Sequence, residues 1–434
     1  MLTNFIFILI LFLIISYSKT KDLFSPSCLV CTMFLFCSVF AYYASEDWSF
    51  TMGEFSFELL IMGLSSFLIV SFATDYFFRH LNQKKRINCS DIVPYYGPFK
   101  INKFFVGFIF VFFLMAAMYY FYSLVSVVGL NGFTMASSYR ELMRSANFET
   151  GILTNISLYI LRACSTVFTY IIVNNVFYKE FRVNKEAVLL FCVVIYSVLT
   201  LLSGERTSIV RIIGVAVLAY SIVWQRANYH KIIPIKTIFV GILSFIAILY
   251  VFSAIRYFVG RSSELELIDY LAFYFGTPIY NFDYGISNNA LLIENSNHTF
   301  IGLYNNLARL GFGEAESIHR TNIVDNFNHI FFGNTYTCLY DYYVDFGTAG
   351  MTILMSFYSF IITWLYNSAV YAKRYVAFKG VIYIFFGTTM FFVAFTEQFY
   401  GTYIAFSSIV MLTIMSMILF LLENRVKIDR FKGD

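Results

Sequence analysis

Residues that could carry out chemistry gather in one stretch of this 434-residue chain, residues 256–345. It holds three of the five histidines, and an imidazole titrates near neutral pH, as a general base must. The histidines are His298, His319 and His329, and the carboxylate alternatives are Asp325, Asp341 and Asp345. A solvated surface position is the simplest interpretation of any one histidine. His329 is the best placed as a base, because it lies four residues before a motif that begins at Gly333.

Arginines beside apolar segments form a second group of candidates. Residues 203–207 (Ser-Gly-Glu-Arg-Thr) predict a tight turn between two such segments, which would hold Arg206 at a membrane surface. Arg211 follows about one helical turn deeper. A guanidinium matches phosphate oxygens bidentately, so this pair could grip a pyrophosphate. The alternative is a structural ion pair, either of Arg206 with Glu205 or of Arg211 with a carboxylate.

Five further arginines are candidates with open alternatives. Arg256 and Arg261 follow the next apolar segment, where snorkelling of a long cationic side chain competes with a substrate role. Arg162 lies deep in an apolar run and should face the bundle interior, in an ion pair or against the substrate. Arg140 and Arg144 share one helix face by their spacing. A solvated face is the simplest interpretation of that pair, and a second anion contact is the alternative.

The sequence shows no pattern that predicts a metal site. No HExxH or comparable ligand spacing occurs, so we expect no protein-bound metal and no cofactor. The adjacent acids Glu46 and Asp47 are more typical of a solvated turn than of a metal ligand pair. Cys28 and Cys31 have CxxC spacing, but their apolar surroundings indicate small core residues rather than a redox or metal motif.

Composition places these residues in a membrane protein. The chain is 59% hydrophobic and 13% charged, with a mean hydropathy of +0.70, which excludes an ordinary soluble domain and predicts no nucleic-acid partner. About eleven apolar runs are long enough to span, with ten to twelve as the expected range. The runs are 2–17, 28–44, 55–73, 103–124, 151–177, 187–203, 207–224, 237–255, 349–367, 380–396 and 403–422.

The predicted architecture is therefore an all-α polytopic transmembrane helix bundle, a single integral membrane domain over residues 1–434. The stretch 256–345 forms its one large loop. The first run lacks a basic start and a cleavage site, so we interpret it as a span rather than a removed signal. Segments 264–280 and 299–311 carry apolar residues at helical spacing, which predicts helices on the membrane surface or dipping into it as a lid.

Charge distribution predicts the orientation. Alternate connections and the C-terminal tail, with their immediate flanks, hold 21 of the 30 lysines and arginines. This face should therefore be cytoplasmic, with the C-terminus inside and the long loop outside. All fourteen lysines are on that face, whereas the nine basic residues outside or within the membrane are all arginines. Retention of arginine alone favours a task for the guanidinium fork, although chance and snorkelling would produce the same pattern.

The end of the long loop resembles a known family. Residues 333–337 (Gly-Asn-Thr-Tyr-Thr), 345–347 (Asp-Phe-Gly) and Gly350 are similar to the signature of bacterial oligosaccharide repeat-unit polymerases, the Wzy-type O-antigen or capsule polymerases. The arginine turn at 203–207, the Arg-Tyr at 256–257 and the single large loop agree with it. The resemblance covers the layout of residues 100–420 but is motif-like only at 203–211 and 333–350.

This resemblance implies a metal-independent glycosyltransferase of the bacterial inner membrane. It would join undecaprenyl-pyrophosphate-linked oligosaccharide units at the periplasmic face, with membrane lipid, a chain-length regulator and a flippase as partners. Position matches Arg206 and Arg211 to the family's arginine turn. The expected substrate or pyrophosphate contacts are Arg206, Arg211, Arg256, Arg261, Arg140, Arg162, Asn334 and Tyr336. The expected catalytic residues are His329, Asp345 and Asp341, and the general base is not singled out among them.

Two alternatives remain at this stage. A lipid-linked oligosaccharide flippase or other transporter would place ionisable residues along a central cavity, but such proteins usually have short loops on both faces. The roughly 90-residue loop therefore argues against it. An O-antigen ligase would use the same chemistry with a different acceptor, lipid A.

Overall fold

The computed structural model describes residues 1–87, 97–99, 101–129, 135–144, 151–181, 183–205, 207–228, 266–288, 298–312, 323–324, 331–333, 335–372 and 375–422, and the single residues 232, 234, 241, 243 and 250. These residues form an all-α bundle, as the composition predicts. The one sheet among them is an antiparallel pair of short strands, β1 (Ile323–Val324) and β2 (Phe331–Gly333).

The helices follow the apolar runs of the sequence. The first half of the chain contains α1 (Leu2–Thr20), α2 (Pro26–Tyr43), α3 (Glu54–Ile87), α4 (Lys103–Val128), α5 (Met135–Arg144), α6 (Ile152–Phe177), α7 (Val183–Leu202) and α8 (Thr207–Asn228). The second half contains α9 (Leu267–Asn288), α10 (Ile301–Arg309), α11 (Cys338–Val370), α12 (Val376–Gly387) and α13 (Phe406–Leu422). A 3-10 turn (Thr388–Phe391) and a π turn (Phe399–Tyr403) lie between the last two.

Several of these helices are long and apolar enough to cross a bilayer. Among the described residues they are α1, α2, α3, α4, α6, α8 and α11, and α7, α12 and α13 are shorter apolar helices. In hydrocarbon every backbone N–H and C=O must be bonded internally, so apolar runs of this length fold as helices. The chain is a multi-pass membrane protein. The predicted span at 237–255 lies outside the described residues except for three isolated positions.

Local sequence signals set several helix ends. Pro26 opens α2 at a position where its missing N–H costs no hydrogen bond. The side chain of Asn102 accepts a hydrogen bond from the backbone N–H of Phe104 and caps α4. Lys21, with a left-handed φ of 58°, ends α1.

Helix α11 is two helical segments that meet at a kink. Gly347 has φ 64° and ψ −169°, a conformation open to glycine, and it separates residues 338–346 from residues 348–370. The second segment runs beside α3, where Ser359 donates to the carbonyl of Phe67 at 2.6 Å. The first segment runs back against the same helix, because Leu339 contacts Gly63. Residues 338–346 therefore enter the bundle instead of lying over it.

The connection between α12 and α13 is also irregular. The sequence predicts one span over 380–396 and another over 403–422, but the first helix ends at Gly387 and is followed by the 3-10 turn, a stretch of turn and coil, and the π turn. We call residues 388–405 the broken segment. It packs into the bundle, where the backbone N–H of Cys338 donates to the carbonyl of Val393 at 3.0 Å. Such backbone is tolerated at membrane depth only inside protein or beside a polar cavity.

The long loop contains the two helices that the apolar spacing predicts. Helix α9 packs across the end of α2, and a Cβ added at Gly276 would lie 2.8 Å from the backbone nitrogen of Ala41. Helix α10 rests on the π turn of the broken segment. Much of α9 is buried, so this part of the loop is built into the bundle.

A buried carboxyl group joins the turn between α1 and α2 to two other helices at one end of the bundle. Asp22, in the turn between α1 and α2, accepts hydrogen bonds from the hydroxyls of Tyr366 at 2.6 Å and Ser221 at 3.1 Å. Its other oxygen accepts from the backbone N–H of Phe24. Burial raises the pKa of Asp22 above its usual range, although these hydrogen bonds act in the opposite direction. We call this the Asp22 end; the turn between α7 and α8 lies at the other end.

Candidate functional site

Two arginines predicted from the sequence meet at one carboxylate. Arg162, in the first half of α6, places Nη2 3.5 Å from Oε1 of Glu205, and Arg211, in the first turns of α8, places Nη1 3.3 Å from the same oxygen. The hydroxyl of Thr207 also donates to it, at 3.1 Å. The turn between α7 and α8 supplies Glu205, so a local turn and two helices build this cluster. We call these three charged residues the arginine cluster.

The cluster carries more positive than negative charge. Arg162 and Arg211 are 19% and 12% exposed, and Glu205 is their one carboxylate partner among the described residues. Burial would raise the pKa of Glu205, but the charges of Arg162 and Arg211 outweigh it and hold the pKa below its usual value. Glu205 is therefore ionised at neutral pH, and one positive charge of the cluster remains unbalanced.

Hydrogen-bonding capacity also remains on the arginines. Nε of Arg211 is buried and has no hydrogen-bond partner in the described part of the chain. Two other nitrogens of the guanidiniums donate to neutral oxygens: Nε of Arg162 donates to the hydroxyl of Tyr196 at 3.3 Å, and Nη2 of Arg211 donates to Oε1 of Gln398 at 3.1 Å. A buried donor without a partner is costly, so a polar or anionic guest would be favoured here.

A small polar cavity lies beside the arginines. Its volume is about 20 Å³, which is room for about one water molecule and too little for a phosphate group. Hydroxyl groups line much of it, and two of them, on Thr388 and Tyr403, are hydrogen-bonded to each other at 3.0 Å. The lining residues are Arg162, Ser165, Thr166, Thr169, Tyr196, Ser208, Arg211, Ile212, Val215, Phe385, Thr388, Tyr403 and Met411. Binding of a phosphate at the cluster therefore requires side chains to move.

The broken segment connects the arginine cluster with a second carboxylate. Phe392 lies under the guanidinium of Arg211, 5.6 Å from ring centre to Cζ, and Gln398 hydrogen-bonds the same side chain. The next residue back, Glu397, accepts from the backbone N–H groups of Tyr400 and Gly401, each at 2.6 Å. Glu397 thus holds the π turn in shape, and this turn presents Gln398 to Arg211.

Two further contacts attach the long loop to this region. The carboxylate of Asp345 accepts from the backbone N–H of Thr299 at 2.7 Å and of His298 at 3.3 Å, just before α10. Gly302, in the first turn of α10, lies so close to the carbonyl oxygen of Gly401 that a methyl group would overlap it. Helix α10 is therefore seated directly on the π turn that Glu397 holds.

The remaining residues predicted for the site have different placements. Tyr336 is buried and stacks on Tyr340, with ring centres 4.5 Å apart. Asp341 is fully buried in the first segment of α11. Arg140 lies on α5, where the structure describes only its backbone. The residues that lie outside the described part of the chain are Arg206, Arg256, Arg261, His319, Asp325, His329 and Asn334.

The sequence reasoning missed three residues of this site. Glu397 and Gln398 are adjacent polar residues between two predicted spans, a position that could have marked them for attention. Tyr196 lies in the middle of an apolar run and gives no such signal. Its hydroxyl becomes meaningful only when α6 and α8 bring Arg162 and Ser208 within 3.3 Å of it.

Within the described residues, no group of three or more histidine, cysteine or acidic side chains has the arrangement of a metal site. The chain has no significant match among protein-family models, curated proteins or solved structures. The site therefore has to be interpreted from its own geometry. That geometry brings together two guanidiniums and several hydroxyls, with one carboxylate between the guanidiniums.

Proposed function

We propose that this protein is a glycosyltransferase that polymerises lipid-pyrophosphate-linked oligosaccharide units, as repeat-unit polymerases of O-antigen or capsule do. The observation that carries the proposal is the arginine cluster, in which two partly buried guanidiniums share one carboxylate beside a polar cavity. A pyrophosphate linked to undecaprenol is an anion held at the membrane surface by its lipid. Arg162 and Arg211 lie on helices long enough to span a membrane, and Glu205 lies on the turn at one end of α8.

The chemistry fits fixed arginines. Transfer of a glycan breaks the bond between its anomeric carbon and the pyrophosphate, and negative charge develops on the departing phosphate oxygen. Guanidiniums already held in place, in a site with little water, stabilise that charge without reorganising. We assign Arg211 and Arg162 this role, together with Arg206, Arg256 and Arg261, whose assignment rests on the sequence alone.

The acceptor sugar hydroxyl needs a base within hydrogen-bond reach. Asp345 is already bonded to two backbone N–H groups, which supports a role in positioning α10 over the site. Asp341 is fully buried. We therefore keep His329 as the proposed base and the long loop as the holder of the acceptor glycan; this assignment rests on sequence position.

The proposed orientation places the arginine cluster at the periplasmic face of a bacterial inner membrane. Lys19 and Lys21 are beside Asp22, and Lys179 follows α6 at the same end of the bundle. Lys379, near the start of α12, belongs to this end as well, because Arg226 of α8 donates to the carbonyl of Val376 there. A lysine-rich end is typical of the cytoplasmic side, which supports this orientation.

The proposal is tested by complementation of a strain that lacks the gene. We expect Arg211→Ala to abolish long glycan chains while the protein remains in the membrane, and Arg211→Lys to be strongly impaired because an ammonium cannot replace the fork. Arg79→Ala is the matched control, since Arg79 pairs with Asp75 on its own helix, away from the cluster. Unchanged ladders in Arg211→Ala would remove this residue from the active site.

The glycan pattern of the deletion strain separates the competing functions. Loss of a polymerase leaves single capped repeat units, loss of a ligase leaves lipid-linked polymer without transfer to lipid A, and loss of a flippase leaves units on the cytoplasmic side. Single capped units are the expected result. Accumulation of full-length polymer on its lipid carrier would replace the polymerase proposal with the ligase alternative.

A further inference from the structure

The contacts of Glu205 with the two arginines are looser than those of a tight structural ion pair. The ion-pair contacts and the Thr207 hydroxyl all meet one oxygen, Oε1, and both N–O distances are long, 3.5 Å to Arg162 and 3.3 Å to Arg211. Tight charge-assisted hydrogen bonds are about 2.7–2.9 Å. The carboxylate therefore neutralises the arginines without engaging either guanidinium in a close bidentate bond.

The carboxylate is also the most accessible member of the cluster. Glu205 is 30% exposed, compared with 19% for Arg162 and 12% for Arg211. It stands on the turn between α7 and α8, directly after Gly204, which has a φ of 73°. A side chain on a turn can rotate toward solvent without unpacking a helix, whereas the two arginines are fixed by α6 and α8.

We propose that Glu205 is a placeholder carboxylate, which occupies Arg162 and Arg211 while no diphosphate is bound and returns to them when the product leaves. This inference rests on the proposed function and deepens it by giving the site a release step. The diphosphate of the bound donor displaces Glu205 from Arg211 and accepts from Nε of that arginine, which has no partner among the described residues. After transfer, Glu205 competes again for the guanidiniums and promotes departure of the lipid pyrophosphate.

The placeholder role and a structural role predict opposite results for one substitution. Glu205→Gln keeps the shape of the side chain but removes the charge that competes with the ligand. A placeholder then leaves the arginines more available, so that diphosphate binds more tightly and turnover slows at product release. A structural partner would instead leave the arginines misplaced, so that binding and turnover both weaken.

The experiment uses the full chain in nanodiscs and measures equilibrium dissociation constants. The probes are inorganic pyrophosphate, undecaprenyl pyrophosphate and phosphatidylglycerol, which distinguish a free diphosphate, a lipid-linked one and an ordinary anionic lipid. We expect Glu205→Gln to bind both diphosphates about tenfold more tightly, since one competing charge at contact distance is removed. Phosphatidylglycerol should show no comparable change.

Three variants complete the test. Glu46→Gln removes one exposed carboxylate from the turn after α2 and should leave all dissociation constants unchanged. Arg211→Ala should lose diphosphate binding. Glu205→Asp keeps the negative charge but places it farther from the arginines, so it should also lower the dissociation constants for diphosphate, by less than Glu205→Gln does. This variant provides the test if Glu205→Gln cannot be purified.

The outcomes separate the inference from the function on which it rests. Tighter diphosphate binding with a lower turnover number in Glu205→Gln supports the placeholder. Unchanged or weaker binding in Glu205→Gln, with normal binding by the wild type, overturns the placeholder and leaves the proposed function standing. Absence of diphosphate binding in the wild type overturns both.

Discussion

The arginine cluster should be energetically coupled, and a double-mutant cycle between Arg162 and Glu205 measures how strongly. At their separation of 3.5 Å, the gross attraction is about 5 kcal/mol with an effective dielectric constant near 20, and about 1 kcal/mol in bulk water. Exposures of 19% and 30% place the pair between these limits. After the cost of holding both side chains, we expect a coupling free energy of about 1–3 kcal/mol.

The two single variants should differ in a defined direction. Arg162→Met leaves Glu205 with Arg211 and Thr207 as partners, so its cost is the smaller one. Glu205→Gln leaves two guanidiniums without a carboxylate, so its cost should be larger. In the double variant only Arg211 lacks its partner, and its free energy of unfolding should be higher than the sum of the single effects predicts.

The assay is unfolding of the purified chain in mixed micelles with increasing denaturing detergent, which reports an apparent free energy of unfolding. A second cycle between Arg162→Met and Asp269→Asn, on the distant helix α9, should show additive effects and serves as the control. A coupling free energy indistinguishable from zero, or a stabilising Glu205→Gln, would refute the interpretation of the cluster as an energetically linked unit.

Three other predictions test the framework around the site. Because folding raises the pKa of Asp22, the contribution of its carboxyl group to stability should be greatest at low pH and should be lost as pH rises above about 4. The thermal midpoint should therefore fall less steeply between about pH 4 and 8 for Asp22→Asn than for the wild type. Equal slopes would contradict this. Gly302→Ala should lower the thermal midpoint and transferase activity by pushing α10 off the π turn, whereas Gly107→Ala, at an open position on α4, should change neither; a fully active Gly302→Ala would show that the close approach is unimportant. A cysteine at Lys84 should resist an impermeant thiol reagent applied from outside while one at Glu46 reacts, and the reverse pattern would invert the proposed topology.

The region of the site was largely predictable from the sequence, but its partners were not. Arg162 and Arg211 stand out because a charge in an apolar run needs a polar environment. The sequence left the carboxylate partners of Arg162 and Arg211 unnamed, and Arg162 lies 43 residues away from Glu205 along the chain. Gln398 is 187 residues from Arg211, and no local pattern connects them.

The catalytic candidates show what sequence position alone leaves open. Asp345, in the motif after the loop, has a carboxylate already bonded to the backbone at residues 298–299. Glu397, in no recognised motif, organises the turn that carries Gln398. Motif position identifies residues that matter to the fold or the function, but only hydrogen-bond partners distinguish a positioning role from a chemical one.

Composition and hydropathy by themselves determined that this chain is an all-α multi-pass membrane protein. The reason is physical: hydrocarbon offers no hydrogen bonds, so apolar runs of sufficient length have to form helices. Tertiary structure alone decided that residues 338–346 and the broken segment 388–405 turn into the bundle, and that α6 and α8 direct their arginines to one carboxylate. Hydropathy is the same for a buried break in a helix and for a regular span. It also contains no information about how a helix is rotated or which helix it contacts. These features depend on packing among side chains that lie far apart in the chain.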